Sequence, residues 1–287
     1  MQFEFFRFRF VFQALDTVSF PPGGAANTVR GAFGKLLSTS AADEAYTRFF
    51  EPTNSAPGPS GLRDQPRPFV LRCSHLDGSS LAPGEAFFFG MHVFELRRPV
   101  LPDIRTALEG LREAGIGLGR GRAELIRVEQ LDLSDRCQPV GAPPSAISLD
   151  SVSDAPGLIR LRFVTPTELK TAGAVADRPD FPVLFGRLRD RICTLQSLYG
   201  KGPWELDFRA MGERAGQVRL TRCDLNWECA TRKSSRTKRT HSLGGFTGEV
   251  EYQGELGEFL PWLRAGQWVG VGRQTVWGKG EIRVLEP

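Results

Sequence analysis

The chain of 287 residues has room for two domains, each able to bury its own core without metal or disulfide support. With 40% apolar and 24% charged residues, 21 Phe and 5 Trp, it is neither disordered, collagen-like nor low in complexity. The formal charge is only +4, but 31 of the 37 basic residues are Arg. An anion-binding surface built from them would favour forked, bidentate donors, although a GC-rich coding sequence produces the same bias.

Residues 2 to 13 alternate apolar with polar side chains, which predicts a strand. Pro21, Pro22, Gly23 and Gly24 then break the chain before a helical stretch from Asn27 to Leu37. After the proline-rich segment from Pro52 to Pro68, extended runs are expected at Phe69 to Cys73 and Glu85 to Leu96. Pro102 opens a second helix carrying Ile104, Leu108 and Leu111, which ends at Gly115, and Ala123 to Val128 closes as a strand. The order is β-α-β-β-α-β. Proline, serine and glycine at Gln138 to Pro156 mark a linker, after which the pattern repeats. Ile159 to Val164, Gln217 to Cys229, Phe246 to Tyr252 and Glu281 to Leu285 are the strands; Phe181 to Leu198 and Glu255 to Leu263 are the helices. Both halves place a glycine-rich loop between the second helix and the last strand, at 115–122 and 270–280. The reading is an α+β protein of two tandem ferredoxin-like (RRM-like, βαββαβ) domains: residues 1–137, a linker at 138–156, and residues 157–287.

The charged, alternating start MQFEFFRFRF is unlike a signal peptide, and Phe87 to Phe94, the most apolar stretch, is too short to cross a bilayer. Together these predict a cytoplasmic protein. Cys73, Cys137, Cys193, Cys223 and Cys229 are scattered, with no C-x-x-C pair, and read as reduced thiols.

The loop Gly270-Val-Gly-Arg-Gln-Thr-Val-Trp-Gly-Lys-Gly280 has four glycines in eleven positions, so its amides are able to approach an anion closely. It is no nucleotide P-loop, because five residues separate Gly272 from Gly278 and Lys279 precedes a glycine. It also lies between helix and strand, the reverse of the dinucleotide fingerprint. Arg273, Gln274, Thr275, Trp277 and Lys279 suit a nucleic-acid backbone with one base to stack on. The same glycines also serve a tight connection that needs positive φ.

A second signal is Thr231 to His241, where Arg232, Lys233, Arg236, Lys238 and Arg239 fall within eleven positions uninterrupted by any acid. Ser234, Ser235, Thr237 and Thr240 are interleaved and able to bond phosphate oxygens. A solvated hairpin tip is the alternative. Of the three histidines, His75 reads as a surface residue and His92 as a packed, hydrogen-bonded imidazole in an apolar strand. His241 ends the basic run and is the best-placed titratable base. Glu249 with Glu251 and Asp103 with Glu109 read as ordinary solvated faces, so no metal site and no cofactor are expected.

Three segments carry a family resemblance: Val29 to Leu36, Arg232 to Arg239 with Leu243 to Gly248, and the Gly270 to Gly280 loop. On these the chain resembles the CRISPR-associated endoribonucleases of the RAMP superfamily that process precursor CRISPR RNA, the Cas6 family. The Pro66 to Arg72 strand and the turn at 115–121 fit the same pattern. The resemblance implies paired ferredoxin-like domains holding a CRISPR repeat. It also implies metal-independent cutting by ribose 2′-OH attack, which leaves a 2′,3′-cyclic phosphate and a 5′-OH. CRISPR repeat RNA, and possible subunits of an effector complex, are the implied partners. The sequence departs from the pattern in lacking a histidine at 20–60, a cysteine between Ser38 and Phe50, and a histidine at Val269. His241 is then the expected general base or acid, Arg236 and Lys238 the phosphorane stabilisers, and Tyr46 and Lys35 secondary candidates on the facing domain. Arg232, Lys233, Ser234, Ser235 and Arg239 join Gly270, Gly272, Arg273, Gln274, Thr275, Trp277, Gly278, Lys279 and Gly280 as expected RNA contacts. A noncatalytic RAMP subunit that grips guide RNA as a scaffold is the rival expectation.

Overall fold

The computed structural model describes residues 1–39, 43–52, 65–171, 173–229, 231–233, 240–242 and 244–285. In the first half come β1 (Gln2–Ala14), β2 (Val18–Ser19), α1 (Ala25–Thr39), α2 (Asp43–Phe50), β3 (Phe69–Arg72), β4 (Ser80–Leu81) and β5 (Ala86–Val93). They are followed by α3 (Leu101–Glu109), α4 (Leu111–Ala114), β6 (Ala123–Leu131), β7 (Cys137–Gln138) and β8 (Ser145–Ser148). The second half contains β9 (Leu158–Thr167), β10 (Lys170–Thr171), β11 (Ala174–Val175), α5 (Phe181–Tyr199), α6 (Phe208–Ala215) and β12 (Arg219–Glu228). β13 (Thr231–Lys233), β14 (Thr240–Ser242), β15 (Gly245–Gln253), α7 (Leu260–Val269) and β16 (Ile282–Leu285) complete it.

The main sheets run β3-β5-β1-β6 and β12-β15-β9-β16. In each half the second, third, first and fourth strands of the βαββαβ unit therefore lie side by side, antiparallel throughout. The same order in both halves is the ferredoxin-like arrangement twice over. Alternation along β1 sends Phe8, Phe10 and Phe12 into a first core with Val29, Phe33 and Leu37 of α1, which recur every four residues along the helix. The carboxylate of Asp77 accepts from the Ala25 amide at 2.8 Å, capping the start of α1. Among the described residues no helix is long and apolar enough to cross a membrane.

Four features differ from the sequence reading. α2 was not expected; its Ala45, Phe49 and Phe50 are buried, and Phe49 and Phe50 pack edge-on to Phe69. α6, between the predicted helix 181–198 and strand 217–229, was also not expected; Asp207 caps it by accepting from the Ala210 amide at 2.9 Å. α7 starts at Leu260 rather than Glu255 and runs to Val269, because Pro261 sits in its first turn, where its missing N–H costs nothing. The stretch 138–156, expected as a linker, contains β8, which pairs antiparallel with Gln2 to Phe5 of β1.

β1 also ties the halves together. Phe3 and Phe5 leave the first core and enter the second, beside Leu161, Leu188 and Trp262. Alongside them the C-terminal end of α7 meets a polar clamp. Arg72 of β3 donates through Nη2 to the carbonyls of Gln267 (2.9 Å) and Trp268 (3.3 Å). Nδ1 of His92, on β5, lies 2.9 Å from the Trp268 carbonyl, and Arg191 of α5 donates through Nε to the Val269 carbonyl at 3.0 Å. These carbonyls have no partner within the helix and carry the negative end of its dipole, so guanidinium donors satisfy them and neutralise that end together. The Trp268 ring packs on Phe5 (5.9 Å) and lies under the Arg7 guanidinium (4.1 Å). A second seam joins the Tyr199 hydroxyl to the Pro66 carbonyl at 2.8 Å and the Leu96 amide to the Tyr199 carbonyl at 2.9 Å.

Two outcomes follow from this interface. Phe5→Ala removes a fully buried ring from the shared core and should cost about 3–5 kcal/mol, read by urea unfolding; a loss below about 1 kcal/mol would contradict the packing. The second concerns pH. Burial, followed by the Arg72 charge, holds the His92 imidazole well below its ordinary 6.5, against the opposing pull of the Trp268 carbonyl, so it is neutral when folded and donates from Nδ1. The unfolded chain binds a proton there more readily. This stabilisation is thus complete above about pH 6.5 and declines as pH falls toward the lower folded-state value. Unfolding free energies should show wild type losing stability on acidification by an increment that His92→Gln lacks.

Candidate nucleic-acid interface

The chain leaves the clamped end of α7 directly into the glycine loop. Gly270, Gly272, Gly278 and Gly280 all have positive φ. Space as well as conformation requires glycine at two of them. A Cβ on Gly278 would lie 2.5 Å from Cβ of Ala26 in α1, and one on Gly280 would lie 2.0 Å from the Val271 carbonyl oxygen. The loop is thereby pressed against the first turn of α1, and its 3-10 turn at Thr275–Trp277 packs along β3.

The expected cradle of amides for a phosphate is largely committed elsewhere. Gly270, Val271, Arg273, Trp277, Gly278 and Gly280 all donate their N–H groups to protein carbonyls. Charge at this site therefore comes from side chains. Lys279 is 7% exposed, and its Nζ lies 3.5 Å from the Gly23 carbonyl just before α1. Burial lowers its pKa, partly offset by Asp77 and Glu228. Arg273 is half exposed and paired with Glu168 at 2.5 Å. Thr275 is buried, and Gln274 takes the left-handed conformation.

One contributor was missed in the sequence. The guanidinium of Arg30, on α1, lies 5.3 Å from the Trp277 ring and 5.1 Å from the Phe50 ring. The other side of this contact chain is Tyr46, stacked on Phe50 at 5.3 Å and 12°. Trp277, Arg30, Phe50 and Tyr46 thus form one series joining the glycine loop to α2, and Tyr46 is brought toward the loop. Lys35 is exposed, five residues beyond Arg30 and so about 140° further round the helix. Position 30 falls within the Val29 to Leu36 segment, but its contacts are tertiary and leave no periodic signal.

The basic run extends a β-ribbon. β12 and β15 pair from Arg219↔Gln253 to Glu228↔Gly245, and β13 and β14 continue the same hairpin with Arg232↔His241 and Lys233↔Thr240. Ser234, Ser235, Arg236, Lys238 and Arg239 lie outside the described residues, as do the side chains of Arg232, Lys233 and His241. At the foot of the ribbon Trp227 is 48% exposed beside Phe246. Next to it Glu228 accepts from the Thr247 hydroxyl at 2.8 Å. Trp227 is the second residue the sequence reading passed over, since a lone tryptophan at a strand end reads equally as packing. Of the other two histidines, His92 is buried in the clamp and His75 is bonded to the Phe88 carbonyl at 2.9 Å. The acids Glu249 and Glu251 face Arg162 and Arg160 across the sheet. Among the described residues no three His, Cys, Asp or Glu side chains gather as a metal site would require.

Residues 3–150 match the model AF_1859_N, an N-terminal domain, and residues 161–282 match that of the CRISPR-associated endoribonuclease Cas6. No curated protein matches the sequence. Among solved structures, the product complex of Cas6 TTHB231, a Thermus thermophilus protein, is similar over 97% of this chain and 99% of its own at 23% identity and a TM-score of 0.60. A Cas6-related protein from Pyrococcus furiosus is similar over 98% and 99% at 10% identity and a TM-score of 0.52. A Cas6-RT-Cas1–Cas2 complex contains a chain similar over 99% of this one and 46% of its own, at 12% identity and a TM-score of 0.63. Identities this low speak for the fold, which the duplicated topology already displays. The Cas6 model spans the second ferredoxin-like unit and its glycine loop, and over these residues the chain is similar to the CRISPR-associated endoribonuclease Cas6.

Proposed function

We propose that the protein cuts precursor CRISPR RNA once in each repeat by attack of a ribose 2′-OH on the adjacent phosphorus, without a metal ion. The 2′-oxygen forms a bond to phosphorus as the bond to the 5′-oxygen breaks. One proton leaves the 2′-OH and another reaches the departing 5′-oxygen, giving a 2′,3′-cyclic phosphate and a 5′-OH. The reaction needs a base, an acid and fixed positive charge around the phosphorane. What supports the reading is the convergence of cations from both halves beside the glycine loop. Arg30 comes from α1, and Lys279 and Arg273 come from the loop; Glu228, at the end of β12 from which the chain runs on to the basic segment, is close enough to Lys279 to bear on its charge.

In this reading His241 is the base or acid, and Arg236 with Lys238 stabilises the phosphorane. Tyr46 is the secondary candidate nearer the loop, and Lys35 the more distant one. Arg232, Lys233 and Arg239 hold the repeat backbone together with Arg273. The product stays bound and passes to an effector complex. A scaffold that binds without cutting is the second reading. It is favoured by one observation: neither described histidine, His75 or His92, is bonded to the glycine loop or to α1.

Three measurements decide between them. Labelled repeat RNA incubated in EDTA should be cut at one position, leaving a cyclic phosphate; a requirement for Mg²⁺ would sink the mechanism, and tight binding with no cutting would establish the scaffold. His241→Ala should slow single-turnover cleavage by about 10² or more with binding nearly intact. An unchanged rate removes His241 from the chemistry. Arg273→Ala should weaken binding and lower the slope of log affinity against log salt by about 1, because one phosphate contact no longer releases counterions.

A further inference from the structure

On the outer face of the first-half sheet the end of α7 packs over Arg7, His92 and Arg72, whereas the part around Phe88 is exposed. Phe87, Phe89 and Met91 of β5 point inward with Phe8, Phe10 and Phe12 of β1, so the alternate residues point outward. Phe88 stands on that outer face, 41% exposed. The imidazole of His75, from the turn after β3, stacks on its ring at 4.5 Å and 29°, while His75 Nε2 bonds the Phe88 carbonyl. From β1 the guanidinium of Arg9 lies 5.0 Å from the centre of the same ring. Glu129 fixes Arg9 through Nη1 at 3.1 Å and accepts from Nε of the exposed Arg127 at 2.6 Å.

A large aromatic ring thus stands on the exposed part of the sheet, opposite the buried Val11 of β1, stacked by a second ring and met by the Arg9 guanidinium, with Arg127 held beyond Arg9 through Glu129. The next outward position along β5 is Gly90, which adds no side chain to the surface. β3, the neighbour of β5, is the edge strand along which the turn Thr275–Trp277 of the glycine loop packs. The face therefore opens one strand in from the interface described above, about 5 Å from that edge. Aromatic rings on the first and third strands of such sheets are a general means of holding unpaired bases, and stacking tolerates any base because all have a π face.

We propose that this face is a second binding subsite for single-stranded RNA: an unpaired base stacks on the Phe88–His75 pair while Arg9 and Arg127 meet the flanking phosphates. The proposal rests on the RNA reading of the previous section and adds to it a hold on the strand outside the cut site.

The test uses the full chain with two probes, a fluorescein-labelled decauridine and an oligouridine carrying one 2-aminopurine, whose fluorescence falls when it stacks. Phe88→Ala, and Phe88→Leu, which keeps the apolar bulk and guards against misfolding, should each weaken decauridine binding by about tenfold or more and abolish part of the quenching. Phe88→Trp should restore both. Arg9→Gln should lower the salt slope by about 1. Affinity within twofold of wild type and unchanged quenching in Phe88→Leu would overturn the subsite. So would a change in sedimentation of the protein alone, which would assign the face to protein contact. If the wild type cuts repeat RNA while Phe88→Leu binds normally, the subsite falls and the nuclease stands. If the probes bind through Phe88 but no repeat RNA is cut, the nuclease reading falls and the subsite stands.

Discussion

The three carbonyls that close α7 are the hinge of the whole design. A helix ending inside a protein leaves acceptors that must be met, and here they are met across a domain boundary by Arg72 and His92 from the first sheet and by Arg191 from the neighbouring helix. Hydrogen bonds from charged donors contribute about 1.5–3 kcal/mol each, and removing one partner strands the other in a dry site. Arg191 illustrates the cost. Burial, followed by the Arg72 charge, lowers its pKa to about 9, which still leaves it a cation at neutral pH. The chain enters its glycine loop one residue after the last of these bonds, so the loop takes its position from the clamp.

This anchoring changes how the loop serves recognition. A glycine-rich connection with unspent amides would bind anions through its backbone, whereas this one spends its amides on Pro166, Glu168, Gly266 and its own turns. Its glycines permit close approach to α1, which brings Lys279 and Trp277 against Gly23 and Arg30. In the proposed reading, contacts to RNA then fall to side chains on three different supports: helix, loop and ribbon. Such an arrangement separates placement from contact, since the backbone geometry survives changes in the residues that touch a ligand.

Much of this was readable from residue order. Period-two alternation in 2–13 and period-four recurrence in 181–198 were strong enough to give both βαββαβ units, and the motif segments, the Gly270 to Gly280 loop above all, carried the resemblance that the Cas6 model bears out. What stayed hidden depends on contacts between distant segments. α2 has only eight residues, and its apolar side has meaning only once Phe33 and Phe69 are in place. β8 sits in a stretch rich in proline and serine and is a strand because β1 offers an edge at Gln2 to Phe5. Arg30 and Phe88 carry no motif at all. Their roles come from a ring that another element supplies, Trp277 in one case and His75 in the other. Lys279 could be picked out as a cation beside glycines, but nothing in its spacing told that it would be buried at the foot of α1.

The hairpin that runs from Arg219 out to Lys233 and back through Thr240 to Gln253 satisfies its hydrogen bonds within its own two strands once it passes the sheet. Residues beyond Glu228 can accordingly be rewritten, lengthened or shortened with little penalty to the domain beneath, since loop extension is entropically cheap. The ribbon is in this sense a detachable finger: the sheet from which it springs stays intact while the finger itself is altered.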